Sequence, residues 1–227
     1  MVDGKRKITI AAIAAIVILP IIGILMLADA KWVHQELPYL GNTIDNPDGS
    51  KEYHTLSDIN LINQHGKPIS LSDFDSCILV VNIFFTACPE VCPAMNKQIQ
   101  VIAEEFLAFP NVRFLSISID PENDSVPVLA RYAQEYKADL YKRTFATGNK
   151  KLIYDWVLND LLLANEQRGS NFIHDDKVVI IDKALHIRSI LETQGIGYAQ
   201  KLERVKHIQD DINNLLYEYR KKDMDKR

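Results

Sequence analysis

The sequence predicts an α/β domain, a central mixed sheet flanked by helices, behind an apolar N-terminal transmembrane helix. Three observations carry this. The near-continuous apolar run "CILVVNIFF", residues 77–85, has the β-branched and aromatic make-up of a strand buried on both faces. Segments of helical spacing alternate with further strand-like runs. Residues 8–28, "ITIAAIAAIVILPIIGILMLA", carry no charge over a length that crosses a bilayer core of roughly 30 Å.

Residues 1–7 contain Lys5-Arg6-Lys7. The positive-inside rule places them in the cytoplasm and everything after residue 28 on the extracytoplasmic or periplasmic side of the cell (inner) membrane, single-pass. Pro20 is tolerable in a membrane helix. A cleaved signal peptide is the alternative, since "ADA" at 28–30 resembles a cleavage site. The apolar run, however, exceeds a signal core of roughly 7–15 residues. Residues 29–53 include Pro38, Gly41, Pro47 and Gly49, show no sustained period and read as a linker.

The domain then spans 54–219. "INLINQHGKPISL" reads as a hairpin about His65-Gly66-Lys67-Pro68. After the strand at 77–85, Met95, Ile99, Ile102 and Phe106 mark an amphipathic helix over 93–108, with Pro93 in its first turn. "VRFLSISID" is the next strand. Asp124 and Ser125 offer an N-cap for a helix with Leu129, Ala133 and Tyr136 along it. "NKKLIYDWVLNDLLLA" places Ile153, Trp156, Val157 and Leu161 on one helix face. "KVVII" and "HIRSIL" read as antiparallel strands around "DKAL". A helix over 199–221 and a charged tail, 220–227, close the chain.

The net charge of −4 gives no case for nucleic-acid binding, and three cysteines are too few for a disulfide framework in 227 residues. On the outer side of a membrane, a cysteine pair must be kept reduced to be useful as thiols.

Such a pair lies in "FFTACPEVCPAM": Cys88 and Cys92, each followed by proline. It comes where the buried strand hands over to a helix. Unpaired amides and the helix dipole at that junction favour thiolate. Residues four apart share a helix face, so both sulfurs can point one way. The pair could be a staple, a redox couple or half of a soft-metal site. Among metals that take thiolate, a cluster wants more cysteines, and structural zinc wants four protein ligands. Copper is content with two thiolates and an imidazole. His174, in "GSNFIHDDKVVII", sits on a loop before a strand and is the candidate third ligand; a solvated loop histidine is the plain alternative. Cys77 opens the buried strand and reads as a small apolar residue. Asp120 reads as a strand end and Asp124 as a helix cap.

"FFTACPEVCP" resembles the F-x-F-T-x-C-P-x-x-C-P signature of the Sco/SenC family of membrane-anchored copper proteins. "SISIDPENDS" is similar to that family's S-x-D-P-x-x-D-T segment at Ser118, Asp120, Pro121 and Asp124. His174 stands where the family carries its metal-binding histidine, ahead of "VVIID". The resemblance covers about residues 55–219. It implies a thioredoxin-like fold binding one copper, Cu(I) or Cu(II), through Cys88, Cys92 and His174. It also implies a part in maturing the copper A centre of cytochrome c oxidase. Implied partners are the copper A subunit, other copper chaperones and a thioredoxin-like reductant. The alternative is a thiol–disulfide oxidoreductase without a physiological metal, with Cys88 and Cys92 as the redox pair and His174 dispensable.

Two departures from the family pattern stand out. Asp182-Lys183-Ala184-Leu185 replaces an Asp-Pro-x-Gly turn, which reads as a local change. Asp175 and Asp176 follow the histidine in place of Ser or Thr. Beside a metal, two carboxylates would favour Cu(II) over Cu(I). Changing both to Asn is then expected to raise the copper potential in voltammetry, and an unchanged potential would place them in solvent instead.

Overall fold

The computed structural model describes residues 16–22, 34–163, 177–193 and 198–225. Residues 16–22 are helical. Among the described residues no helix is long and apolar enough to cross a membrane. Most of the apolar run at 8–28 lies outside them.

Residues 36–227 form one compact unit. A hairpin of β1 (Thr43–Asp45) and β2 (Lys51–Tyr53) stands apart from the main sheet. That sheet contains β3 (Leu61–Asn63), β4 (Pro68–Ile69), β5 (Ile78–Phe84), β6 (Val112–Ser118), β7 (Arg143–Thr147), β8 (Lys177–Ile181) and β9 (Ile187–Glu192), in the order β4-β3-β7-β6-β5-β8-β9. Strands β5, β6 and β7 are parallel; β3 and β8 flank them antiparallel. The helices are α1 (Val91–Glu105), α2 (Val126–Glu135), α3 (Lys150–Asn159) and α4 (Tyr198–Asp225).

Every residue of β5 is buried, as its unbroken apolar run demands. Its alternating side chains feed two cores. Ile78, Val80 and Phe84 pack with Met95, Ile99 and Ile102 of α1, Leu129 of α2 and Ile208, Ile212 and Leu215 of α4. Leu79, Val81 and Ile83 pack with Phe74 and with Ile153, Trp156 and Val157 of α3. The result is a mixed sheet between two helical layers. Trp156 is core, as its position on the α3 stripe implies, and its indole N–H donates to the Ser57 carbonyl at 2.9 Å.

The structure adds a strand that the periodicity does not reveal. β7 lies inside the sheet, between β3 and β6. Its sequence, "RTFAT", looks polar and short, yet Arg143 and Thr147 are buried. The helix expected at 93–108 starts two residues earlier and ends as a short 3-10 turn at Phe106–Ala108.

The segment expected as an open linker, 29–53, is built into the domain from residue 36 onward. Leu37 is buried, and the Leu40 amide donates to the Ile187 carbonyl at 2.9 Å. Arg188 fastens this strap. It donates to the carbonyls of Leu37 and Pro38, pairs with Asp182 and Glu218, and lies 4.2 Å from the Tyr39 ring centroid. Gly41 then turns the chain at φ +100°, where a Cβ would stand 2.7 Å from the His54 Cβ, so only glycine fits. The expected tail is likewise helical as far as Asp225.

The turn at 182–185 keeps its shape without glycine. Leu185 takes φ +63°, its amide donates to the Asp182 carbonyl, and the Asp182 carboxylate accepts the amides of Ala184 and His186.

Candidate metal centre

β5 and β6 run side by side in register from Ile78↔Val112 to Phe84↔Ser118. Their C-terminal ends therefore deliver two loops to one place, where α/β sheets carry their chemistry. One is Phe85–Glu90 with Cys88; the other is Ile119–Ser125.

Cys88 and Cys92 are brought together. Both are buried, and neither is in a disulfide. The geometry differs from two residues on one helix face. α1 begins at Val91, so Cys88 precedes it, in a turn closed by its own amide donating to the Phe85 carbonyl at 3.3 Å. The N-cap, Glu90, makes no side-chain cap. The Cys92 amide donates to the Cys88 sulfur at 3.3 Å instead. Cys88 thus takes the place of a capping side chain for one orphan donor of the first turn. Pro93 brings no N–H to that turn and so leaves none unsatisfied.

The expectation that the helix end makes both groups thiolates is corrected for Cys92. Burial pushes its thiol up to about 12, reinforced by the hydrogen-bonded Cys88 beside it and, more weakly, by the Asp124 carboxylate. Desolvation outweighs the amides there, so a metal binding this sulfur must displace its proton.

Asp124 is fully buried but is not a helix cap; the N-cap of α2 is Ser125. Its carboxylate accepts the Thr86 amide at 3.1 Å and the hydroxyls of Thr86 and Ser118. The Ser118 hydroxyl in turn accepts the Asp120 amide at 3.1 Å. The Asp120 carboxylate accepts the Asn123 side chain at 2.8 Å. The second loop therefore holds the cysteine loop by its threonine. Thr86 is part of the motif, but its spacing alone gives it no role.

An open cleft of about 500 Å³ borders this loop, walled by Thr86, Pro93, Lys97, Arg131, Tyr132 and Tyr136 among others. It gives an approach to the first turn of α1 from outside.

The third cysteine and three of the described histidines lie elsewhere. Cys77 is half-buried one residue before β5, at the strand's opposite end, with its amide on the Phe74 carbonyl. His54 contacts the Asp160 carbonyl, His65 pairs with Asp139, and His186 lies beside Asp182. His174, Asp175 and Asp176 lie outside the described residues. Among the described residues no group of three or more His, Cys, Asp and Glu side chains is arranged to hold a metal. Two soft sulfurs free of other covalent bonds are nonetheless the donor chemistry that a Cu(I)-type ion takes.

Residues 47–209 match the family model described as SCO1/SenC. The mouse relative "Protein SCO2 homolog, mitochondrial" is 34% identical over 93 residues, which are 40% of this chain and 36% of that protein. The chain thus spans little more than a third of that relative. Among solved structures, Arabidopsis thaliana ScoI with copper bound superposes with a TM-score of 0.53 at 18% identity, over 68% of this chain and 98% of that one. BsSco, described as a member of the Sco family of cytochrome c oxidase assembly proteins with a disulfide switch, gives 0.56 at 19% identity, over 77% and 98%. At these identities the superpositions speak for the fold.

Proposed function

The chain belongs to the SCO1/SenC family, and from that premise we propose that it is a copper-binding assembly factor for cytochrome c oxidase. One copper is held by Cys88, Cys92 and His174 and serves the maturation of the oxidase's copper A centre. The observation that carries this reading is the pair of buried, uncrosslinked cysteines at the strand-to-helix junction, with the Cys92 amide donating to the Cys88 sulfur. A staple would have no need of such a junction or of the Asp124 anchor around it. A relative with copper bound supports the choice of metal. The apolar run at 8–28 behind Lys5-Arg6-Lys7 supports a single-pass anchor with the domain on the extracytoplasmic side. The copper A subunit is then the target. Other copper chaperones and a thioredoxin-like reductant are the expected suppliers of metal and electrons.

The test is complementation of a deletion strain with the His174→Ala chain, read as oxidase assembly with and without added copper. The copper reading expects failure that excess copper partly relieves. Full rescue without added copper would favour the second reading, reduction of target cysteines by Cys88 and Cys92. The placing of the Cys88 sulfur on the Cys92 amide, with neither cysteine crosslinked, supports that reading as well.

A further inference from the structure

Arg143, the first residue of β7, is fully enclosed and has no carboxylate partner among the described residues. Its Nε and Nη2 donate to the Ser116 hydroxyl at 3.1 and 2.8 Å. Nη1 donates to the Asn96 carbonyl at 3.0 Å, and Nη2 also reaches the Asn96 side-chain oxygen. The guanidinium carbon lies 4.4 Å from the Phe145 ring centroid and 5.7 Å from that of Tyr136. All of these partners are neutral. Burial pulls its pKa down to about 9, which still leaves it cationic at neutral pH. An enclosed charge without a counter-ion is expensive, and an apolar residue would fill such a place at lower cost.

The position of the charge suggests what offsets it. Asn96 is one helical turn beyond Cys92 on α1, about 6 Å along the axis. Asn96 also donates its side-chain amide to the Tyr132 hydroxyl at 2.9 Å, so one buried hydrogen-bond network joins Arg143 to the helix that carries Cys92. The Tyr132 ring stacks on Phe84, at the end of the strand that leads into the cysteine loop. We propose that Arg143 is the buried counter-charge of the metal-loaded cysteine pair and that it biases the site toward Cu(I).

The inference rests on the copper reading. Two thiolates and a neutral imidazole around Cu(I) carry one net negative charge; around Cu(II) they carry none. At an effective dielectric of about 20, a unit cation on the order of 10 Å from a charged site is worth about tenfold in affinity for its anionic form and little for its neutral one.

The experiment compares Arg143→Met, which keeps the length and removes the charge, with Arg143→Lys, which keeps the charge. Arg143→Gln serves as the uncharged variant if Met does not fold, as judged by circular dichroism. Cu(I) and Cu(II) affinities are measured by chelator competition and the copper potential by voltammetry. The uncharged variant is expected to lose about tenfold in Cu(I) affinity with Cu(II) affinity nearly unchanged. That difference lowers the potential by about 59 mV. The Lys variant is expected to hold near the unmutated potential. Parallel losses of Cu(I) and Cu(II) affinity in Met and Lys alike would overturn the proposal and leave Arg143 as a brace for α1. Failure of the unmutated chain to bind copper would overturn the copper reading, and this assignment with it.

Discussion

A Cys88→Ala, Cys92→Ala double variant is expected to bind no copper at concentrations that load the unmutated chain stoichiometrically. The two sulfurs are the only soft anionic donors at the junction, since Cys77 lies at the other end of β5. No carboxylate or imidazole among the described residues gathers with them to hold the ion in their place. His174→Ala tests the proposed third ligand separately. Removing a group that merely supports a ligand costs roughly 10–100-fold in metal affinity, so losing a ligand itself should exceed about 100-fold. The fold should survive the cysteine changes. Both positions become slightly smaller apolar side chains within a core that retains Met95, Ile99 and Phe84 around them. The loss in the double variant should therefore be about 1 kcal/mol per site in urea denaturation. Equilibrium dialysis with metal analysis decides the matter: one copper per chain retained by the double variant would sink the ligand assignment.

The cysteine site was partly legible because its information is local. Two thiols, two prolines and a buried strand fall within sixteen residues, and spacing alone marks a cysteine pair at a helix entrance. What the sequence hid is held by contacts far apart along the chain. β7 reads as polar because Arg143 looks like a surface charge; only Asn96 and Ser116, 47 and 27 residues away, make its burial tolerable. Residues 37–40 read as linker because their partners, Arg188 and Glu218, are some 150 and 181 residues distant. The thiol chemistry misled for the same reason. A helix N-terminus is visible in sequence, whereas the depth at which Cys92 is buried, which governs its proton, is a property of the packed core. Asp124 is the sharpest case. An acidic residue just before a helix is the ordinary signature of a cap, and nothing nearby distinguishes it from an anchor whose partner, Thr86, is 38 residues upstream.

Asp124→Ala is therefore expected to cost far more than a lost cap, and to weaken copper binding although it touches neither sulfur. The change leaves the Thr86 amide, the Thr86 hydroxyl and the Ser118 hydroxyl without their acceptor in a largely enclosed place. Each unsatisfied donor costs about 1–3 kcal/mol, so even with partial relaxation the loss should be about 3 kcal/mol or more. A typical cap deletion costs about 1 kcal/mol. Asp124→Asn separates the roles. It keeps one acceptor oxygen but turns an amide toward a donor, so its cost should fall between Ala and the unmutated residue. Because Thr86 lies two residues before Cys88, slack at this point spreads directly into the turn that sets the Cys88 sulfur over the Cys92 amide. Copper affinity should then fall by about 10–100-fold, the range seen when the support of a metal ligand is removed. Urea denaturation and chelator competition on the same preparations measure both effects. A stability change below about 1 kcal/mol with unaltered copper affinity would reduce Asp124 to a helix-end residue. A loss of affinity that follows stability from Asn to Ala would identify the second loop as the clamp on the first.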